Sequence, residues 1–396
     1  MKQYDFLVVG AGIFGITAAI ELQKRGHQTA VLNPDTIPHP MAASTDISKV
    51  VRMEYGADFE YMEMVDAAID GWHAWNDFFE DKLYHETGFL MLCKQNASDD
   101  PESFEGASTR NLIRLGYQPE RLSRQDLERR FPAFAAAAYT DAIFNPRAGY
   151  AESGRVVQRL TDYARQLGVE VWQQQTVRLF EKTNGRVTAV QTREGARFAA
   201  GAVLLCAGAY TPYLLPELKP ALRATGHPVF HLQPDRPELF RAPGFSVFTS
   251  DISHTGWYGF PLHPAENVVK IANHGVGIEL DPEHDERVVG ADDVAALRTF
   301  LAEHIPALAN DPVVFTRRCL YSDTRDGHFW IDRHPELENL IVAAGGSGHG
   351  FKMAPVLGTM IADVATGGAH KWSDRYRWRQ FDTSTRQVEE ARFKAD

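Results

Sequence analysis

Apolar positions open the chain as a continuous run and then change period. Residues 6–9 form a short apolar stretch suited to a strand covered on both faces, and glycines 10, 12 and 15 break it at once. A helical pattern follows over 16–25, Gly26 stops it, and "TAVLN" at 29–33 reads as a second strand. Two later segments repeat the strand-to-glycine-turn transition. They are "AVLLCAGAYTPYLL" at 202–215 and "NLIVAAGGSGHGFKMAPVLGTMIADVA" at 339–365. Elsewhere Val294, Leu297, Phe300 and Leu301 recur at helical spacing, and so do Trp72, Trp75, Phe78 and Phe79, which predicts helix packing rather than a ligand cage. Ser123 and Asp126 form a capping-box pattern that starts a helix. In "WYGFPLHPAENVVKIANHG" (257–275), strand alternation puts 270, 272 and 274 on one face. The polar stretch 94–106 is expected as an exposed loop.

Composition narrows the classes. A length of 396 residues allows two domains, and 44% apolar with 23% charged residues is the balance of a soluble globular chain. A net charge of −11 without any basic run argues against a nucleic-acid partner. Cys93, Cys206 and Cys319 are scattered, so they make neither a disulfide framework nor a CxxC pair, and a reducing compartment is expected. Glycines interrupt the apolar N-terminal run, which therefore reads as neither a signal peptide nor a membrane span; a cytoplasmic location is expected. "DPEHDER" at 281–287 lacks paired ligand spacing and is expected as a solvated loop, with no metal.

Gly10, Gly12 and Gly15 spell G-x-G-x-x-G between a strand and a helix, the context of a dinucleotide site. One glycine makes the tight turn, one admits the pyrophosphate to backbone amides, and one lets helix and strand pack closely. Asn33 stands where an acid usually accepts the ribose hydroxyls, so an uncharged amide is left for that task. The fingerprint alone does not separate NAD from FAD. Gly345, Ser347 and His349 do not complete a Gly-x-Ser-x-Gly elbow, which argues against a serine hydrolase.

Taken together, these segments resemble the D-amino-acid-oxidase superfamily of FAD enzymes. More closely they resemble the monomeric sarcosine oxidase family, with its N-methyltryptophan, pipecolate and fructosyl-amino-acid oxidase relatives. The likeness is weakest over 81–150. It implies an α/β (α+β) fold: a Rossmann-like FAD domain of the glutathione-reductase type from 1–80, 150–220 and 325–396, and a mixed-sheet substrate domain from 81–149 and 221–324. Cys319-Leu320-Tyr321-Ser322, followed by His328-Phe329 and His334-Pro335, resembles the stretch whose cysteine carries FAD through a thioether. The likeness places Gly10, Gly12, Gly15, Asn33, Ser48, Lys49, Val177, Gly208, Gly346, Gly348, His349, Gly350 and Lys352 against the cofactor. It makes Arg52 and Lys352 a carboxylate clamp, and puts Tyr258, Lys270, His274 and Tyr321 in the pocket, with Lys270 as the oxygen-side cation. Lys49 departs from the arginine of sarcosine oxidases towards the fructosyl-amino-acid oxidases.

The implied activity is oxidation of the carbon beside nitrogen in a small carboxylated amine, an N-methyl or cyclic secondary amino acid, by a monomer using O2 and releasing H2O2. Alternatives are a fructosyl-amino-acid oxidase or an FAD dehydrogenase with another acceptor. An NAD dehydrogenase leaves Cys319 and Lys270 without a role, and a non-enzymatic flavoprotein leaves the clamp without one.

Overall fold

The opening apolar run becomes the strand Gln3–Val9, at the centre of an eight-stranded sheet. It pairs in parallel with Thr29–Leu32 on one side and Arg197–Leu205 on the other, and Leu340–Ala344 extends the parallel set. Strands flanked in this way by helices are buried on both faces, which explains their uninterrupted apolar composition. The helices Ile13–Lys24 and Ala354–Ala365 cover one face, with Val8, Ile16, Leu357 and Ile361 in one core. Gly358 allows the two helices to touch, because a Cβ there would lie 2.7 Å from the Thr17 carbonyl oxygen. The computed structural model describes residues 3–97, 99–381 and 392; the other ends of the expected 1–80 and 325–396 segments lie outside the described residues.

A nine-stranded mixed sheet forms the second layer. Its long strand Leu222–Leu232 lies antiparallel between Val313–Thr324 and Val269–Asn273. That register sets Cys319 opposite His227 and Lys270 opposite His231, so residues far apart in sequence converge over a few ångströms. A three-stranded sheet of Lys49–Val51, Gly149–Ala151 and Tyr84–His85 completes the set.

Ser123 caps the helix Arg124–Arg130 with the expected reciprocal Asp126 bond, and Ala291–His304 buries Leu297, Phe300 and Leu301. Trp72 is fully buried in the helix Phe59–Phe79, whereas Phe78 is exposed. The expected loop at 94–106 is corrected at its end, over 104–106. Ser103 accepts a hydrogen bond from the Gly106 amide and starts the helix Phe104–Arg114, whose first turn is buried. A serine cap followed by Phe104 outweighs the polar composition of the stretch.

Arg392 lies far downstream of the last strand and is 2% exposed. Its guanidinium sits 2.8 Å from the Asp323 carboxylate and 2.8 Å from His227 Nε2. Burial first, and then this cation, push the His227 pKa well below its ordinary value.

Candidate active site

Residues of both large sheets line a cavity of about 520 Å3. One end is the glycine turn. Gly10 has φ +104°, and a Cβ on Gly15 would fall 1.9 Å from the Gly10 carbonyl oxygen, so both positions demand glycine. The helix Ile13–Lys24 begins at Gly12 without a side-chain cap, with residues 10–14 facing the cavity. Asn33 also faces it. Its Oδ1 accepts the Ala11 amide and its Nδ2 donates to the carbonyls of Asp35 and Thr36. The amide that replaces the usual acid thus braces the glycine turn against the next loop.

Val177 and Gly208 line the same wall, as do Gly346, Gly348, His349, Gly350 and Lys352 of the second glycine turn. Gly348 has φ +79°, and a Cβ there would meet the Tyr321 ring at 2.4 Å. The Ser322 hydroxyl, in the wall, and the buried Ser48 hydroxyl have no hydrogen-bond partner among the described residues. Backbone cradles at both ends, a helix start whose N-cap is glycine and whose Ile13 amide is met by the Ser44 hydroxyl, and buried unsatisfied hydroxyls fit an elongated cofactor with a pyrophosphate and a polar ring.

At the other end, Tyr258, Tyr321 and Lys49 form the wall. Tyr258 and Tyr321 share a hydrogen bond, and burial raises both phenols well above their ordinary value. Tyr321 stacks on His227 with centroids 3.9 Å apart and lies 3.4 Å from His274 Nδ1. Cys319 is buried one residue behind this wall, 3.9 Å from Lys49 Nζ.

Arg52 lies behind the wall, stacked among Tyr55, Phe89 and Phe104 at 5.5, 5.8 and 5.5 Å. Lys352 Nζ donates to Tyr55 Oη at 3.0 Å, and Tyr55 Oη is 3.0 Å from His349 Nδ1. Tyr55 therefore joins the two cations of the expected clamp, a role that sequence reading missed. Its position in "RMEY", one helix-like turn after Arg52, was the available signal. Trp72 Nε1 fixes the Lys352 carbonyl at 2.7 Å. Burial raises the pKa of Glu54 and Glu105, two carboxyls in the field of Arg52, which weakens their claim on the guanidinium.

Lys270 lies in the strand Val269–Asn273 and His274 directly follows it, outside the strand on which one face was expected to carry both, and their contacts diverge. His274 reaches the cavity through Tyr321. Lys270 is 1% exposed, and its Nζ lies 2.6 Å from both Asp46 Oδ2 and the Ser48 carbonyl. The ion pair, which sequence reading also missed, draws the ammonium towards the loop before Lys49. Burial lowers the Lys270 pKa from 10.5 to about 8, against the opposing pull of Asp46.

Residues 5–364 match the DAO family model, described as FAD dependent oxidoreductase. The chain is 30% identical to L-saccharopine oxidase of Schizosaccharomyces pombe, over 96% of this chain and 94% of that protein. It is also 30% identical to a monomeric sarcosine oxidase of Bacillus sp., over 92% and 93%. Among solved structures, the fructosyl amine: oxygen oxidoreductase Amadoriase I of Aspergillus fumigatus superposes with a TM-score of 0.83 at 25% identity, covering 99% of this chain and 94% of that one. The chain belongs to the DAO family of FAD dependent oxidoreductases.

Proposed function

We propose that the protein is an FAD-dependent oxidase of small carboxylated amines, with N-methyl or cyclic secondary amino acids as substrates and H2O2 as the second product. The observation that carries this reading is a set of buried cations about the cavity: Lys352 in its wall, Arg52 behind the wall and joined to it through Tyr55, and Lys270 on a separate strand. When bound, FAD supplies hydride acceptance from the carbon beside nitrogen and electron delivery to O2. The chain's own groups do the rest. A guanidinium and an ammonium fix a carboxylate, by a planar fork and by a point charge, and so orient the C–H bond. The same positive field disfavours a protonated amine and keeps the nitrogen lone pair available. Tyr258, Tyr321 and His274 supply hydrogen bonds, and the raised phenol pKa values keep both tyrosines as donors.

The proposal assigns cofactor holding to 1–80, 150–220 and 325–396 and the substrate roof to 81–149 and 221–324. A monomer in the cytoplasm completes it; among the described residues no helix is long and apolar enough to cross a membrane. A fructosyl-amino-acid oxidase is the second reading, favoured by Lys49 and by the likeness to Amadoriase I. Anaerobic bleaching of the flavin by a panel of sarcosine, pipecolate, proline, N-methyltryptophan, saccharopine and fructosyl-glycine tests both. Bleaching by a secondary amino acid supports the first reading, bleaching by fructosyl-glycine alone selects the second, and no bleaching by any carboxylated amine defeats both.

We also propose that Cys319 tethers the flavin, supported by its burial directly behind the cavity wall beside Lys49. Acid-precipitated wild-type protein is expected to keep its yellow colour, and Cys319→Ala to release it to the supernatant. Colour retained by the precipitated variant defeats the assignment.

A further inference from the structure

The loop 44–48 contributes a buried carboxylate that neither the cation pair at Tyr55 nor the glycine turns engage. Asp46 precedes the strand Lys49–Val51, and its side chain is 3% exposed. Its carbonyl accepts hydrogen bonds from the Gly154 amide and the Ser153 hydroxyl, both at 2.9 Å, which pin the loop to the start of the helix Ser153–Gln166. The carboxylate is therefore anchored by a different element from the one bearing Lys270. It lies 2.6 Å from Lys270 Nζ, 3.8 Å from Lys49 Nζ and 3.5 Å from His231 Nε2.

We propose that Asp46 is a positioning residue for oxygen reduction: its carboxylate keeps the Lys270 ammonium charged and aimed, and thereby sets the pH range in which O2 is consumed. The inference rests on the reading of Lys270 as the oxygen-side cation. Every charged or titratable group facing Lys270 bears on it. Asp46 favours the cation, Lys49 opposes it, His231 engages the far oxygen of Asp46, and Cys319, once tethered, carries no charge. The Phe260 ring, 4.7 Å from Nζ, and the Ser48 carbonyl complete the shell. A neutral amide at 46 would leave the buried Lys270 facing the half-buried Lys49 with no anion between them. One of them then loses its proton, because an uncompensated buried charge is far more expensive than a neutral amine. Burial would raise the Asp46 carboxyl, yet Lys270, then His231 and Lys49, hold it well below the usual carboxylate range, so the anion persists across the working pH.

The test is Asp46→Asn in the flavin-loaded protein. Stopped-flow reoxidation by O2 of the wild type should fall as pH rises through about 8. In the variant that fall should move down by about one pH unit, leaving reoxidation about threefold slower at pH 7.5 and about tenfold slower above pH 9. Reduction by substrate should change by less than about threefold, as it depends on other groups. An absorbance titration with sulfite over the same pH range provides a readout without turnover. Binding of that anion should weaken in parallel with the loss of the Lys270 charge. Asp46→Glu should restore most of both. A wild-type pH profile in Asp46→Asn, beside a slow Lys270→Met, overturns the inference and leaves Lys270 in its role; fast reoxidation in Lys270→Met overturns both. Should Asp46→Asn fail to hold flavin, Asp46→Glu still decides: a retained alkaline fall supports the inference, and a flat, slow profile like that of Lys270→Met overturns it.

Discussion

Replacing Lys270 by methionine is expected to slow reoxidation by O2 on the order of 10²- to 10³-fold, the range seen when one preorganised charge or donor is removed from a developing anion. Electron transfer to O2 builds negative charge in a region where Lys270 is 1% exposed, so water cannot substitute for the ammonium. Methionine keeps the length and apolar contacts of the stem, including the neighbourhood of Phe260, and removes only the charge. Reduction by substrate should be nearly unaffected. The sign of the pH dependence follows from the folded pKa: the cation is present below about 8 and is lost as pH rises through it, so wild-type reoxidation declines on the alkaline side. Lys270→Met should have no such limb. Stopped-flow traces of the two half-reactions check this, and equal losses in both would sink the role assigned to Lys270.

The second large effect is expected at the clamp. Arg52→Met and Lys352→Met should each lower kcat/KM for a carboxylated amine by roughly 10²-fold, about 2–3 kcal/mol for a lost charge-assisted hydrogen bond. Arg52→Lys should recover little, because a point charge does not reproduce the planar fork held among three aromatic rings. Tyr55 connects the two cations, so the double variant should lose less than the sum of the single losses. An amine lacking the carboxylate supplies the control. It should be a poor substrate for the wild type and no worse for the variants. Steady-state kinetics with both amines measures the difference, and an equal loss on the carboxyl-free amine would defeat the clamp.

The cofactor end was legible in the sequence because backbone geometry there dictates residue type. Gly10 and Gly15 occupy places where any Cβ collides with backbone, and such constraints write themselves into the chain as glycines at fixed spacing. Cys319, Lys270 and Arg52 were reached by resemblance, since nothing local in their segments declares a task. Asp46 and Tyr55 were missed for a physical reason. Asp46 meets Lys270 across 224 positions, and Tyr55 meets Lys352 across 297. Those contacts arise where loops beside the strand Lys49–Val51 pack against distant elements. The parallel pairing of Phe89–Cys93 with Val247–Ser250 is equally silent, because parallel partners leave no turn signal between them. The helix at Phe104 was hidden by composition: its cap was present, but the acidic residues before it outweighed the signal.

The burial of Arg392 bears on how the molecule is made. Asp323 sits in the strand Val313–Thr324, which is synthesised well before its counter-ion exists. Until residue 392 has been added, that strand carries a carboxylate destined for a dry interior, met by the Thr225 hydroxyl and by the field of Arg223. An unmatched buried charge disfavours closure of the sheet around it. The long ladder between Leu222–Leu232 and Val313–Thr324, and with it the stacking of Tyr321 on His227, is therefore expected to close fully once Arg392 has docked on Asp323. A nascent chain stalled short of residue 392 would hold its glycine turn and its first helices, yet lack a finished pocket above them.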